Sequence, residues 1–300
     1  MKLVIIRSIQ NRNARPPWQN NPMFSRPTRR LLILCSLLPS LGFRGTGSAK
    51  FLEGKTESLI FFISDTDTEW TKREKTEMVQ MIYGAENWLI SQASDNGRSL
   101  DFSHHFYGWE KDITVSTIQE GIRSGYEDVT LAKKITGILG YESPQQLLEQ
   151  YPAENTQLLF VLKKDGASYA FAYNLGMSEE YYVEGMAIYQ RFSPDTPNCE
   201  ACIAHEMLHI FGAHDYYETF QTTKEQERLA RAQFPDSIML RTSYTINELN
   251  IDSISKWRIG WTDYKPAQAD FFKPVSYPKK SAVDSSLRAI GSDKKSETID

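Results

Sequence analysis

The feature that most constrains the fold is the stretch CEACIAHEMLHIFGAHDYYE at 199–218. His205 and His209 are four residues apart, so on a helix they lie on the same face, one turn from each other. Their imidazoles can therefore converge on one metal ion, while Glu206 lies beside them near a metal-bound water. The alternative interpretation of the same spacing is an amphipathic helix with two surface histidines.

Zinc is the metal that such a pair of histidines favours, and its chemistry gives Glu206 a role. Zinc lowers the pKa of bound water to about 7 in hydrolytic sites, so hydroxide is available at neutral pH. Glu206 would take the proton as a general base and then pass it to the leaving amine as a general acid. The sequence thus predicts a metal-dependent hydrolase.

The residues that follow the second histidine extend the motif. HEMLHIFGAHD fits the pattern HExxHxxGxxH/D, with Gly212 three residues after His209. A glycine there can adopt positive φ, end the helix and turn the chain back, so that a third ligand reaches the metal. Met239 then follows in FPDSIML, which predicts a tight turn. Together these residues resemble the metzincin zinc peptidases, whose pattern is this extended helix motif followed by a methionine turn.

The resemblance implies a zincin-like α/β domain. Its upper part would be a mixed, twisted sheet with helices, including the helix that carries the histidines. An irregular C-terminal subdomain would lie below it, with a cleft between the two. Met239 would form a hydrophobic floor under the metal rather than bind it. An edge strand above the cleft, within 181–192, would pair with extended substrate by β-addition.

The resemblance also selects the third ligand. In the family pattern this ligand lies six residues after the second histidine, and here that residue is Asp215. The snapalysin-like members have Asp at this position, and a carboxylate oxygen is an acceptable zinc ligand. His214 is one residue out of register, so it would point away and be a neighbour of the site or a surface residue. His214 as the third ligand remains the alternative.

The order of the other segments indicates the fold class. Apolar and β-branched runs predict strands, and segments with a helical apolar period predict helices between them. This alternation points to an α/β layer with helices on a mixed sheet, whereas loops and short helices replace the strands after residue 215. The predicted strands are 57–65, a strand after the Asn96-Gly97 turn, a strand and a further extended piece around a turn at Asp165-Gly166, and 180–192; the predicted helices are 68–94 and one or two within 116–150.

Residues 1–49 differ from the rest, with eight Lys and Arg and no Asp or Glu. Arg29-Arg30 precede the apolar run LLILCSLLPSLGF, and small residues follow, which are the parts of a secretory signal with a cut after Ala49. Met23 would begin a signal of ordinary length. We therefore predict a secreted or periplasmic protein with a catalytic domain at 50–278 and a polar, disordered tail at 279–300. The alternative is a disordered basic tail with a short buried helix.

The charge of residues 50–300 limits the classes of partner that the protein can bind. Without the eight Lys and Arg of residues 1–49, 26 of the 34 basic residues remain against 38 acidic residues, which gives a net charge of −12. Since Lys and Arg do not cluster, nucleic acid is excluded as a partner. No apolar run reaches eighteen residues, which argues against membrane insertion. The expected partner is a protein or peptide substrate, and the oligomeric state stays open.

Cys199 and Cys202 begin the motif and have three interpretations. A disulfide suits an exported protein, although so short a loop stabilises little. A redox motif lacks a thioredoxin context, and a second metal site lacks further ligands. The disulfide is therefore favoured.

Other histidines and tyrosines are weaker candidates for functional residues. His104 and His105 are adjacent on a predicted strand, so they point to opposite faces and cannot share a metal. Core packing is the expected role of Tyr216, Tyr217 and Tyr244.

Three functions fit these observations. The first is an exported zinc endopeptidase. The second is a zinc hydrolase on the same scaffold that cuts another bond, such as a cell-wall amide. The third is a binding protein that keeps zinc for structure, although such a site has no use for Glu206 as a base.

Overall fold

This computed structural model of the protein describes residues 47–116, 125–171, 183–219 and 221–274. Most of the predicted leader, the end of the predicted catalytic domain and the predicted disordered tail lie outside the described residues. Within the described ranges, no helix combines the length and the apolarity needed to cross a bilayer.

The described residues form a seven-stranded mixed sheet with six α-helices, which confirms the predicted α/β class. The main strand order is β2-β1-β4-β6-β5, and β3 and β7 pair with β1 and β6. Neighbouring strands are parallel except where β5 and β7 pair with β6. The strands are β1 (Gly54–Ser64), β2 (Leu100–Tyr107), β3 (Ile113–Thr114), β4 (Asn155–Asp165), β5 (Tyr169–Phe171), β6 (Gly185–Ser193) and β7 (Thr196–Pro197); the helices are α1 (Lys72–Asp95), α2 (Gly125–Ile138), α3 (Pro144–Leu148), α4 (Glu200–Ile210), α5 (Lys224–Gln233) and α6 (Ser253–Arg258).

The central strands are apolar on both faces because helices cover both sides of the sheet. Along β1, Ile60 and Phe62 face the cluster that holds the buried sides of α1 and α4. Leu59 and Phe61 face the opposite cluster, to which α2 and α3 contribute. The helix with the two histidines is therefore packed directly on the buried central strands of the sheet.

Local sequence signals set the ends of the helices. Thr71 and Glu74 form a capping box at the start of α1, each side chain bonding the other's backbone N–H. Ser143 caps α3 and Pro144 occupies its first turn.

The predicted position of the substrate-pairing edge strand is wrong. The strand within 181–192 is β6, which lies between β4 and β5 and is hydrogen-bonded on both sides. A short return strand after the turn at Asp165-Gly166 runs antiparallel to β6 and ends the main strand order. Among the described strands, β5 (Tyr169–Phe171) is therefore the edge on the side of α4.

The chain after α4 contains helices, turns and a single isolated bridge, between Ser237 and Asn250, in its described part. This matches the loosened pattern predicted after residue 215. Its apolar residues, such as Ile238 and Trp257, join the same cluster as α1 and α4. The irregular segment is thus packed against the helix that carries the histidines.

The residues just before the predicted mature start lie inside the fold. Ser48 exchanges backbone and side-chain hydrogen bonds with Thr156, and its Oγ accepts from the N–H of Glu184. The N–H of Ala49, which is 0% exposed, donates to the Glu184 carboxylate at 2.8 Å. A cut after Ala49 would remove these contacts.

Candidate metal centre

Helix α4 begins at the cysteine pair. Cys199 is the N-cap, and its Sγ accepts the N–H of Cys202 at 3.1 Å. The two cysteines form a disulfide, as favoured from the sequence. The helix buries Ile203, Met207 and other apolar residues in the main core, which fixes its rotation about its axis.

Helix α4 ends at Gly212 by a Schellman motif. The Gly212 N–H donates to the carbonyl of His209, and the Ala213 N–H donates to the carbonyl of Leu208. Gly212 has φ of +100°, a left-handed conformation that a side chain disfavours. The reversal predicted from the sequence is therefore present, and it returns the chain toward the histidines.

This reversal brings His205, His209 and Asp215 together. Asp215 Oδ1 lies 3.0 Å from His205 Nε2 and 3.1 Å from His209 Nε2, and the two Nε2 atoms are 3.1 Å apart. Three donors at zinc–ligand distances of about 2.0–2.1 Å in a tetrahedral shell would lie roughly 3.3 Å from one another. The group therefore has the spacing that one metal ion requires.

Backbone carbonyls orient both histidines. His205 Nδ1 donates to the carbonyl of Ile238 at 2.8 Å, and His209 Nδ1 donates to the carbonyl of Ala213 at 2.9 Å. A carbonyl can only accept, so Nδ1 carries the hydrogen and Nε2 is directed at the shared centre. Such contacts fix the ring orientation of metal-binding histidines.

Met239 lies in a tight turn, as predicted. The Leu240 N–H donates to the carbonyl of Ser237, which closes the turn. The Met239 carbonyl accepts from the N–H of Tyr216, and its side chain is 0% exposed within the cluster that includes Met207. The turn thus contacts both the loop after Asp215 and, through the neighbouring Ile238, the first histidine.

Charge is concentrated at the three residues. Burial works to raise the pKa of Asp215, but the imidazoles of His209 and His205 outweigh it and hold that pKa well below its usual range. Burial works to lower the pKa of His209, but the Asp215 carboxylate raises it to about 9. Without a metal, these groups therefore hold a proton between them that a cation would displace.

Glu206 lies next to this group on the same helix. Burial raises the pKa of its carboxyl, and Asp215 adds to the rise, while the two histidines oppose it. Its carboxylate accepts a hydrogen bond from the backbone N–H of Ala170 on the edge strand β5. Glu206 thus stands between the metal group and the edge of the sheet.

His214 is outside the group that the structure brings together. It is partly buried rather than a surface residue. Burial, together with the Arg258 guanidinium, lowers its pKa well below the usual value, so it is neutral at pH 7.

Of the three tyrosines predicted to pack in the core, only one does so. Tyr216 is fully buried and packs in the core, as expected. Tyr244 is 71% exposed, and Tyr217 is 37% exposed with its ring 6.0 Å from that of His205, so core packing is the wrong role for these two. Nothing in the local sequence pattern of these two residues distinguishes them from Tyr216.

His104 and His105 lie on opposite faces of β2, as predicted. Each is paired with a buried glutamate, His104 with Glu86 at 2.5 Å and His105 with Glu57 at 2.7 Å. These pairs are separate and are buried under different helices and loops. They do not form a second metal group among the described residues.

Sequence reasoning missed one residue near the centre, Asp252. Its carboxylate contacts the loop after Asp215 and the turn at Met239. The signal that could have found it is the N-cap pattern at the start of α6, an Asp directly before SISKWR.

Comparisons with known proteins give no relative on which function can rest. No protein-family model matches the chain, and no curated protein matches it. Of solved structures, 29 chains match, among them one described as "Structure of a chaperone-substrate complex" with 14% identity and a TM-score of 0.32. That alignment covers 56% of this chain and 25% of the other, so the chain spans about a quarter of that protein's length. A likeness this slight bears on neither fold family nor function.

Proposed function

We propose that this protein is a zinc-dependent endopeptidase of the metzincin type. The observation that carries the proposal is the convergence of His205, His209 and Asp215 within hydrogen-bond distance of one another, with Glu206 on the same helix. Glu206 distinguishes this group from a structural site, because a structural zinc needs only ligands.

The donor set fits zinc. Two imidazole nitrogens and one carboxylate oxygen leave a fourth position open, which is the composition of catalytic zinc sites. The hydrogen bonds from Nδ1 to the Ile238 and Ala213 carbonyls already hold the two rings in the ligating orientation. When bound, zinc would polarise the substrate carbonyl and lower the pKa of water.

Glu206 would carry the proton transfer. Burial raises the pKa of its carboxyl, which brings its proton affinity closer to that needed near neutral pH. It takes a proton from the attacking water and delivers it to the amine of the leaving peptide. The hydrogen bond from the Ala170 N–H holds the carboxylate next to the strand where substrate would lie.

Strand β5 would bind the substrate backbone. It is one edge of the described sheet, it runs antiparallel to β6, and Ala170 on it contacts Glu206. An extended peptide that adds to this edge would place a peptide bond close to Glu206. Recognition through the backbone suits an enzyme that cuts within extended segments of many sequences.

The layout of the fold and the disulfide add support. An α/β layer carries the histidines and an irregular segment packs against it, as the metzincin resemblance implies. A disulfide between Cys199 and Cys202 fits the oxidising compartment expected of a secreted or periplasmic protein.

The test is peptide hydrolysis by the full chain, wild type against Glu206→Gln. The matched control is Glu200→Gln, which makes the same charge change in the first turn of α4. We expect zinc in both variants, with hydrolysis of a peptide library reduced about 10²–10⁴-fold in Glu206→Gln only. Equal hydrolysis by wild type and Glu206→Gln would refute the proposed role, and zinc with cleavage of cell-wall amides alone would change the substrate class.

A further inference from the structure

We propose that Asp252 is a positioning residue for the metal centre, because one buried carboxylate ties together the two segments that hold the ligands in place. This inference rests on the proposed metal site but not on the bond that the enzyme cuts. Asp252 is 5% exposed and lies at the N-cap of α6.

The Asp252 carboxylate accepts five hydrogen bonds. Oδ1 accepts from the hydroxyl of Tyr216 at 3.0 Å and from the N–H groups of Ile254 and Ser255 at 2.9 and 3.0 Å. Oδ2 accepts from the hydroxyls of Ser237 at 2.8 Å and Ser255 at 2.7 Å. Two of the five therefore fix the position of Asp252 on α6 through backbone amides, and two reach segments at the metal centre.

The first of these two contacts reaches His205 through the methionine turn. Ser237 Oγ donates to Asp252 and accepts the N–H of Met239, so the hydroxyl fixes the turn from inside. The carbonyl of Ile238, between these two residues, accepts from His205 Nδ1. A displaced turn would therefore move the acceptor that sets the direction of the His205 ring.

The second contact reaches Asp215 through its neighbour. Tyr216 follows Asp215, its hydroxyl donates to Asp252, and its N–H donates to the Met239 carbonyl. The Tyr216 side chain is 0% exposed, and Ser255 Oγ, which lies 3.3 Å from its hydroxyl, itself donates to Asp252. Asp252 thus fixes the loop that presents the third ligand as well as the turn that orients the first.

The geometry also says why the residue is Asp rather than Asn. Ser237 Oγ already accepts from Met239, so its hydrogen is the one that it donates to Asp252. An amide nitrogen in place of Oδ2 would face two hydroxyl donors and could accept from neither. Asp252→Asn keeps the Oδ1 contacts with Tyr216 and α6 but breaks the link to the turn.

The experiment measures zinc affinity of the full chain by competition with a chromophoric chelator, and the visible spectrum of the Co²⁺-substituted protein. The variants are Asp252→Asn, Ser237→Ala and the double variant. Thr223→Ala is the control, because it removes an N-cap side chain from α5, whose cap bonds lie within that helix's own first turn. Circular dichroism verifies that each variant is folded.

We expect Asp252→Asn and Ser237→Ala each to weaken zinc binding about 10–100-fold and to change the Co²⁺ bands. The double variant should be no weaker than the worse single variant, because both changes cut the same link. Thr223→Ala should bind zinc as the wild type does.

Zinc affinity within twofold of wild type in both folded single variants, or fully additive losses in the double variant, would overturn the role of Asp252. If Asp252→Asn does not fold, Ser237→Ala alone decides between these outcomes. A wild-type chain that binds zinc without hydrolysing peptides would refute the proposed function and leave this measurement valid. A wild-type chain that binds no zinc would overturn both.

Discussion

Replacing Asp215 by Ala tests which residue completes the metal centre, with His214→Ala as its neighbour control. A structural zinc site of four ligands has an apparent binding free energy of about 10–16 kcal/mol, or roughly 2.5–4 kcal/mol per ligand. Loss of one ligand should therefore weaken zinc binding by about 10²–10³-fold. His214 is outside the group, so its replacement should change zinc affinity by no more than about threefold.

The structure adds a dependence on pH. Asp215 raises the pKa of His209 to about 9, so in the metal-free wild type at pH 7 zinc must displace a proton from this ring. That displacement costs about 3 kcal/mol, since each pKa unit is worth about 1.36 kcal/mol. In Asp215→Ala the charge and the hydrogen bond of Asp215 no longer raise the pKa of His209, so burial is opposed only by Glu206 and the Ala213 carbonyl, and most of this cost disappears.

At pH 7 the loss of the Asp215 ligand lowers the zinc affinity while the loss of the competing proton raises it. At pH 9 the proton competes little, so mainly the loss of the ligand is measured. The deficit of Asp215→Ala should be about tenfold or less at pH 7 and should grow to about 10²–10³-fold at pH 9. Wild-type zinc affinity should rise about tenfold per pH unit between 7 and 9. Isothermal titration against a competing chelator, in buffers that do not bind zinc, measures both.

Two results would refute this reasoning. If His214→Ala removed the zinc at pH 9 and Asp215→Ala spared it there, the turn after Gly212 would be in error by one residue. If the deficit of Asp215→Ala did not change between pH 7 and pH 9, the proton shared with His209 would not compete with the metal.

Three further predictions concern the scaffold. Gly212→Ala places a side chain at φ of +100° and should lower the free energy of unfolding by at least about 1–2 kcal/mol in urea titrations; an unchanged midpoint would exclude the strained turn. Burial works to raise the pKa of Glu74, but hydrogen bonds from the Lys163 ammonium, Thr71 and Gln190 together outweigh it and lower that pKa to about 2, so Glu74→Gln should cost about 1–2 kcal/mol at pH 6. This cost should shrink as pH falls from about 4.5 toward 2, where the wild-type carboxylate is protonated too, and a cost independent of pH would contradict the pairing. A chain that begins at Lys50 loses the buried hydrogen bonds of Ser48 and should unfold about 1–3 kcal/mol more easily than one that begins at residue 47; equal stability would show that these bonds contribute nothing.

The sequence predicted the parts of the site that depend on local spacing. The separation of His205 and His209 requires only helical geometry, and Gly212 requires only the left-handed conformation that ends a helix. The alternation of strands and helices likewise follows from the apolar pattern of nearby residues. These features are encoded within a few residues of chain, so they can be read without the fold.

Features that depend on pairing across the chain could not be predicted in the same way. The sequence pattern placed the edge of the sheet at β6. In the structure the chain turns at Asp165-Gly166 and returns as the short strand Tyr169–Phe171, which pairs with β6 and forms the edge instead. Three residues carry too weak a period to identify a strand from sequence. Asp252 reaches Tyr216 and Ser237 over 36 and 15 residues, so its role became visible only when the three segments came together.

The most direct test of the zinc proposal is anomalous diffraction at the zinc edge from crystals of the zinc-loaded chain. We predict one peak at about 2.0–2.2 Å from His205 Nε2, His209 Nε2 and an Asp215 carboxylate oxygen. A chain that loads no zinc at this place, or a peak ligated by His214 in place of Asp215, would contradict it.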